Sequence, residues 1–181
     1  MVRLSRSFYN RPTLQVARDL LGQLLVRKRK TQNAKRKIDK YVITEVEAYI
    51  GQDDPACHAC RGKTPRNQVM FGPPGHAYVY FIYGMYFCLN IVTERKGFPA
   101  AVLIRGIKTL STPADGLYDG PGKLCRELKI TKSLNGADVV RGDKLWVEPG
   151  RKPTRIQKTP RIGIKKGRNK QWRFLIKEKR R

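Results

Sequence analysis

The chain has 181 residues, of which 39 are lysine or arginine and 14 are aspartate or glutamate, so its formal charge at pH 7 is +25. Hydrophobic residues make up 40% of it, which suffices for one globular domain with its own core. A surface that is only soluble or thermostable usually mixes charges of both signs. The imbalance instead indicates a polyanionic partner, nucleic acid before an acidic membrane face.

Membrane and secretion signals are missing from the sequence. No apolar run approaches the roughly 20 residues of a spanning helix, and the first residues lack the apolar stretch of a signal peptide. We therefore expect no membrane association and an intracellular protein, in the cytoplasm and nucleoid of a bacterium or the nucleus of a eukaryote. Its four cysteines are then expected to be reduced thiols.

The first elements are a helix and a strand, followed by a charged segment. Residues 12–21 have the spacing of a short helix that stops at Gly22, and residues 23–26 follow as a strand. Residues 27–40 contain eight basic side chains and one acid. This composition predicts a solvated loop or hairpin tip, with phosphate contact as the alternative.

Residues 41–50 alternate as a strand that places Glu45, Glu47 and Tyr49 on one side. The neighbours of Glu47 along the strand are apolar, so its carboxylate is expected to be partly buried. A buried carboxylate in so cationic a protein requires a partner or a purpose. Two interpretations remain open: a structural ion pair with an arginine such as Arg105, or a general base that the arginine orients.

Residues 51–75 form a long irregular stretch, which inside a compact domain is usually functional or disordered. The stretch contains a Cys-His-Ala-Cys run at residues 57–60, which raises the possibility of zinc. Structural zinc sites usually need a second ligand pair at matching spacing. Cys88 and Cys125 are far apart and do not provide one, so we predict neither a metal nor a cofactor.

The most distinctive segment is residues 76–90, HAYVYFIYGMYFCLN. It predicts two strands joined by a tight turn at Gly84, with Tyr83 near the tip. An aromatic ring there is hard to bury, and in a basic protein it favours stacking on nucleic-acid bases. Asn90, flanked by apolar residues on the return strand, needs a polar partner that a bound purine would supply.

The second half of the chain predicts further short elements. Residues 100–107 form an apolar strand, residues 120–128 a turn into a short helix, and residues 137–176 short strands between turns. The segment from 151 to 181 carries fourteen basic residues and one acid. No internal repeat and no linker are evident, so we expect a single domain over residues 1–181.

Several of these motifs resemble the alkyladenine (3-methyladenine, or methylpurine) DNA glycosylases. The resemblance covers almost the whole chain and rests on these segments, in order: FYNRPTLQVARDLLG (8–22), ITEVEAYIG (43–51), His58, TPRN (64–67), MFGPPG (70–75), YVYFIYGMYFCLNI (78–91), AVLIRG (101–106), GPGKLC (120–125), TPRIGI (159–164) and WRFLI (172–176). The basic insert at 27–40, the basic tail from 151 and the residues just after His58 depart from the family pattern.

The resemblance implies a mixed α/β (α+β) fold: one compact domain around a curved antiparallel sheet with a protruding hairpin. It also implies a monomeric, cofactor-independent DNA repair enzyme of base excision repair. Such an enzyme flips a damaged purine of the 3-methyladenine, 7-methylguanine or hypoxanthine class out of duplex DNA. It then hydrolyses the N-glycosidic bond with a water molecule and leaves an abasic site.

Residue roles follow from the same resemblance. Glu47 matches the general base that activates water, and Arg105 matches the arginine that places carboxylate and water. Asn90 matches the residue that disfavours normal guanine. The flipped base is expected to lie between Tyr49, His58 and Tyr80.

The hairpin residues match a second set of roles. Tyr83 corresponds to the side chain that fills the vacated base stack, with Met85 and Tyr86 beside it. Arg66 and Lys123, within TPRN and GPGKLC, are expected to contact DNA. The remaining hairpin aromatics are expected to form the core that keeps the hairpin rigid: Tyr78, Phe81 and Phe87.

Two other functional classes compete with this hypothesis. A non-catalytic basic nucleic-acid-binding protein explains the charge and the aromatics equally well, but it gives no reason for Glu47 beside Tyr49. A zinc-dependent deaminase would use Cys57, His58 and Cys60, but the H-x-E and P-C-x-x-C spacing of such sites is missing.

Overall fold

A computed structural model of the protein describes residues 2–30, 35–110 and 116–177. The helices are α1 (Arg6–Tyr9), α2 (Thr13–Leu20) and α3 (Pro121–Glu127), and short 3-10 turns cover Gln68–Phe71 and Lys132–Leu134. The strands are β1 (Leu24–Lys30), β2 (Arg36–Ile50), β3 (Ala77–Ile82), β4 (Tyr86–Val92), β5 (Ala100–Thr109), β6 (Leu117–Asp119), β7 (Leu145–Glu148), β8 (Ile156–Thr159) and β9 (Arg173–Ile176).

All of these strands belong to one antiparallel sheet. The main path runs β3-β4-β5-β2-β1-β7, β6 pairs with β5, and β9 pairs with both β2 and β8. The sheet curls into a half-barrel within a single compact α+β domain. The predicted fold class is therefore confirmed. The predicted domain range of 1–181 includes residues 1, 31–34, 111–115 and 178–181, which lie outside the described residues.

Strand β2 is the element around which the sheet is organised. β5 lies along one of its edges, while the other edge pairs first with β1 and then, from Glu45 to Glu47, with β9. The register with β5 shifts on both sides of Glu45, between Ile43 and Val46. Such a bulge bends a strand and re-aims its side chains. The bulge lies where the pairing partner of β2 changes from β1 to β9, two residues before Glu47.

The core has two parts. The larger cluster packs one face of α2, through Val16, Ala17 and Leu20, against the sheet. The smaller cluster joins the loop at 51–75 to the strands, and its buried residues are Cys57, Ala59, Met70, Tyr78, Val92 and Ala101. Because apolar burial is the dominant favourable contribution to folding, the second cluster is what fixes this long loop on the sheet.

Most predicted elements are present. The helix predicted at 12–21 is α2, the strand at 41–50 is the second half of β2, and the helix at 120–128 is α3. Strand β5 covers the predicted 100–107 and continues to Thr109. Helix α1 was not predicted, because four residues are too few to show a helical period.

The prediction of a loop at 27–40 needs correction. β1 continues through Lys30 and β2 begins at Arg36, with paired residues from Arg27↔Asp39 onward, so most of the segment forms the two arms of a hairpin. The arms tolerate polar side chains because Arg29 and Lys37 both pair with Asp39, at 2.8 and 3.0 Å. The predicted tip, residues 31–34, lies outside the described residues.

The prediction that Phe81 belongs to the core is wrong. Its side chain is 48% exposed and contacts Phe87, with ring centroids 4.8 Å apart. Alternation along β3 turns Phe81 away from Tyr80 toward a face that nothing covers near the hairpin tip. Tyr78 is buried and Phe87 is half-buried, as expected.

Within the described parts of the chain, no helix is both long and apolar enough to cross a bilayer.

Replacing Gly22 by alanine should destabilise the fold more than the same change at Gly62. Both glycines have positive φ angles, +84° and +93°. A Cβ at Gly22 would lie 2.1 Å from the Arg151 carbonyl oxygen, whereas one at Gly62 would meet nothing within 4 Å. We expect Gly22→Ala to lower the free energy of unfolding by about 2 kcal/mol more than Gly62→Ala. Equal losses in urea unfolding would contradict this.

Candidate active site

A cavity of about 730 Å³ opens between the β3–β4 hairpin, the end of β2 and the loops at 51–75 and 160–166. This volume suits a small organic ligand. Eight of the predicted site residues line it: Tyr49, His58, Tyr80, Tyr83, Tyr86, Asn90, Arg105 and Lys123. Glu47 lies behind the wall formed by Tyr49 and Arg105. Met85 and Arg66 are not among the described lining residues.

Glu47 is fully buried on β2 and accepts hydrogen bonds on both carboxylate oxygens. The Tyr49 hydroxyl donates to Oε2 and the Ile162 backbone N–H donates to Oε1, each at 2.8 Å. Arg105 Nε lies 3.5 Å from Oε1. The carboxylate therefore has a fixed orientation and still has acceptor capacity for a further ligand such as water.

Burial raises the pKa of Glu47 above its ordinary value, because the charged form loses solvation. Arg105, the Ile162 N–H and the Tyr49 hydroxyl oppose that rise. A carboxyl group with a raised pKa is a stronger base when ionised, which is the property that a general base near neutral pH requires.

Arg105 is shared between two carboxylates rather than belonging to Glu47 alone. Its Nε lies 2.9 Å from Glu45 Oε1, closer than the 3.5 Å to Glu47. Arg173 also pairs with Glu45, at 2.6 Å. The predicted ion pair between Glu47 and Arg105 is thus the longer of the two contacts that Arg105 makes. Its closer partner is Glu45, and Glu47 receives a longer-range charge and two short hydrogen bonds.

A second buried ion pair supports the Glu47 site from behind. Arg161 and Asp54 form a bidentate pair at 2.6 and 2.7 Å with no side-chain exposure. Arg161 also donates to the Ala48 carbonyl at 2.9 Å, and its guanidinium lies 4.7 Å from the Tyr49 ring centroid. Because Ile162 follows directly in the chain, this pair holds the backbone N–H that binds Glu47.

Three further aromatic side chains that line the cavity pack together. The His58 and Tyr80 ring centroids are 4.5 Å apart, and His58 Nδ1 lies 2.9 Å from the Tyr78 hydroxyl. Burial and the charge of Arg66 lower the pKa of His58, so its imidazole is neutral at pH 7. Neutral, electron-rich rings suit a cationic aromatic guest.

Asn90 lies buried in the cavity wall on β4. Its side-chain amide donates to the Tyr78 carbonyl at 3.2 Å. This bond fixes the amide, so a base that enters the cavity meets a rigid polar group there.

The hairpin tip carries the exposed apolar side chains that the sequence predicted. Tyr83 is 77% and Met85 66% exposed, and Tyr83 adopts a positive φ of 53° beside Gly84 at 66°. Tyr86 is less free than expected, because its ring packs against Gly122 at the start of α3, where an added Cβ would lie 2.7 Å away.

The two predicted DNA-contacting residues have protein partners. Lys123 pairs with Asp119 at 2.6 Å on the surface, and Arg66 lies over the Tyr80 ring at 5.5 Å. Contact with DNA remains a prediction for both. The cavity lining includes three further cations, Arg126, Lys165 and Lys166, that the sequence did not single out.

No group of three or more potential metal ligands is present in residues 2–30, 35–110 and 116–177. Cys57 is buried, and burial raises the pKa of its thiol to about 11. His58, the central member of the run, contacts Tyr78 instead.

Sequence reasoning missed several residues of this site. Arg161, Ile162 and Asp54 support Glu47 and Tyr49, although the segment TPRIGI was noted. An arginine between proline and isoleucine is the available signal, because a cation in an apolar context needs a buried partner. Tyr78, expected only as core, also lines the cavity.

The comparisons with known proteins agree with one another. Residues 7–180 match the family described as Methylpurine-DNA glycosylase. A protein of Sodalis glossinidius is 57% identical over 172 residues, covering 94% of this chain and 95% of its own. One of Wolbachia pipientis (strain wPip) is 56% identical over 94% and 88%, and one of Methanocella arvoryzae 48% over 96% and 92%. Each bears the name "Putative 3-methyladenine DNA glycosylase".

Replacing Tyr49 by phenylalanine should raise the pKa of Glu47. The Tyr49 hydroxyl donates to the carboxylate and stabilises its charged form. Loss of this bond should move the Glu47 titration to higher pH, measured by NMR of protein labelled in the glutamate carboxyl carbons. Tyr80→Phe is the control, because Tyr80 contacts Cys88 rather than a carboxylate. A Glu47 titration unchanged by Tyr49→Phe would contradict the assignment.

Proposed function

The chain belongs to the methylpurine-DNA glycosylase family, and we propose that it releases alkylated and deaminated purines from duplex DNA by hydrolysis of the N-glycosidic bond. The observation that supports this most directly is Glu47, a buried carboxylate beside an aromatic cavity, oriented by two hydrogen bonds and by the charge of Arg105. Charge alone would support any nucleic-acid binder. A desolvated carboxylate next to an aromatic cavity with room for a nucleobase supports chemistry on a nucleobase.

The target nucleotide leaves the base stack and its base enters the cavity. Extrusion costs a few kcal/mol, and the cost is smallest for damaged or mispaired bases. Tyr49 on one wall and His58 with Tyr80 on the other offer stacking surfaces. 3-Methyladenine and 7-methylguanine nucleotides carry a positive charge, so they gain most from electron-rich rings. The fixed amide of Asn90 disfavours the exocyclic amine of normal guanine.

Glu47 then acts on a water molecule. The carboxylate accepts a proton from the water, whose oxygen bonds to C1′ of the deoxyribose, while the electron pair of the N-glycosidic bond goes to the base. Arg105 and the Ile162 N–H hold the carboxylate in place for this step. Because the nucleophile is water, the product is an abasic site, and no strand cleavage follows from these residues.

Affinity for DNA comes from the basic surface and the hairpin. A formal charge of +25 gives strong phosphate attraction and a steep dependence on salt. The exposed ring of Tyr83 fills the gap that the flipped base leaves, with Met85 beside it. The protein acts as a monomer wherever the genome lies, the nucleoid of a bacterium or the nucleus of a eukaryote.

The competing function is a non-catalytic DNA-binding protein. Such a protein gains nothing from a carboxylate that is fully buried, since a buried acid costs free energy of desolvation. The geometry around Glu47 therefore favours the enzyme.

The Glu47→Gln variant should lose base release and keep duplex binding. Glutamine has nearly the same shape but cannot accept the proton of water, so we expect a rate loss of at least about a hundredfold. The measurement is release of free 3-methyladenine and hypoxanthine from duplex oligonucleotides. Glu148→Gln, a change at another buried carboxylate on β7, is the matched control. Undiminished release by Glu47→Gln would overturn the catalytic assignment.

The Tyr83→Ala variant should capture the flipped base less well. Removing the ring leaves the vacated stack open, and stacking is worth about 1–3 kcal/mol per base, so we expect a flipped population roughly tenfold smaller. A fluorescent purine in the target position reports the flipped state. Phe81→Ala removes an exposed ring from the stem of the same hairpin and should have little effect. Equal effects of the two substitutions would remove Tyr83 from this role.

A further inference from the structure

Two of the rings that line the cavity each have a guanidinium beside them. Arg161 lies 4.7 Å from the Tyr49 ring centroid, and Arg66 lies 5.5 Å from the Tyr80 ring centroid. Neither arginine is among the described residues that line the cavity. Neither arginine would touch a base bound in the cavity directly. Each would affect that base through its electrostatic field, across or beside the tyrosine ring.

The two arginines differ in how their charge is balanced. Arg161 is fully buried with Asp54 in a bidentate ion pair, so its charge is neutralised on site. Arg66 donates to the Phe81 carbonyl at 3.3 Å. No carboxylate among the described residues lies within 4.0 Å of it. Arg66 is exposed, and no carboxylate in the described parts of the chain neutralises its charge.

The charge of Arg66 affects the pKa values of two residues that line the cavity. Arg66 contributes to lowering the pKa of His58, and it opposes the rise that burial causes in the pKa of Tyr78. His58 and Tyr78 both line the cavity and contact each other through Nδ1 and the hydroxyl at 2.9 Å. A base stacked on Tyr80 would experience the same field.

The damaged nucleotides that the proposed reaction acts on differ in charge, both before and after the N-glycosidic bond breaks. A 7-methylguanine nucleotide carries a positive charge, and when the glycosidic electron pair moves to the base, the base leaves neutral. A hypoxanthine nucleotide is neutral, and its base leaves as an anion until it gains a proton. In both reactions the base gains one negative charge during cleavage, so the lesions differ in their energies relative to the unflipped nucleotide outside the pocket. Relative to that state, a positive charge near the base raises the free energy of the bound cationic lesion and lowers that of the transition state of the neutral lesion.

We propose that Arg66 shifts the charge preference of the base pocket toward neutral lesions, and so weakens the preference for cationic lesions that the electron-rich rings alone would give. This inference rests on the proposed glycosylase function and extends it to substrate choice. It gives Arg66 a specific role within the DNA contact that the sequence predicts for it.

The test compares two lesions in the same duplex under single-turnover conditions, with enzyme in excess over DNA but below saturation, so that each rate is measured from the free duplex. The pH is one at which His58 is neutral in every variant. For Arg66→Gln we expect the ratio of 7-methylguanine to hypoxanthine release rates to rise about two- to fivefold relative to the unmodified protein. The different lability of the two bonds cancels in this comparison. Arg66→Lys keeps the charge and should retain most of the original ratio.

Arg61→Gln is the matched control, because Arg61 is an exposed arginine of the same loop that stacks on no described ring. It removes the same charge from the protein and should leave the ratio unchanged. A ratio that Arg66→Gln does not alter would overturn the proposal. So would an equal loss for both lesions together with weaker binding of undamaged duplex, since that result identifies a phosphate contact.

A second measurement does not depend on DNA. Arg66→Gln should move the NMR titration of His58 to higher pH, while Arg61→Gln should move it less. An unmoved titration in Arg66→Gln would show that this charge does not reach the cavity, which also overturns the proposal. The proposed function fails separately, if the unmodified protein releases neither base.

Discussion

The burial of one carboxylate is the constraint on which the rest of the site depends. Glu47 has no exposed surface, and a charged group in that position is retained only if donors replace the lost water. Tyr49 from the same strand and Ile162 from a distant loop donate hydrogen bonds, and Arg105 from the neighbouring strand adds a positive charge 3.5 Å away. Because these groups come from separate parts of the chain, the fold has to bring all of them together before the carboxylate is stable in its place.

The sheet achieves this through the irregular part of β2. At the bulge near Glu45 the pairing partner of β2 changes from β1 to β9. Strand β9 carries Arg173, which pairs with Glu45, the carboxylate that also pairs with Arg105. The Arg161–Asp54 pair then fastens the loop after β8 to the end of β2. In a regular, flat sheet, β2 would keep one partner along this edge, and β9 would not bring Arg173 to Glu45. The departures from regular structure are thus where the chemistry is concentrated.

The sequence predicts some of this arrangement and is silent about the rest. Alternation along residues 41–50 is a local property, and it places Glu47 and Tyr49 side by side. The hairpin at 76–90 is equally local, because its turn and its aromatic strands are contiguous. Arg161 lies 107 positions from Asp54, and no periodicity connects two residues so far apart. Phe81 was misassigned because alternation gives the face of a side chain but not what covers that face.

The backbone conformation of Tyr83 affects which substitutions would stabilise the hairpin tip. A tyrosine with a φ of 53° occupies a left-handed backbone conformation that costs a non-glycine residue about 1–2 kcal/mol. That strain is present in the free protein, so the ring is presented before any DNA arrives. Glycine at this position would relax the backbone and remove the ring together. Under the proposed role of Tyr83, the tip is a place where stability and function oppose each other, and selection for thermal stability alone would remove the ring.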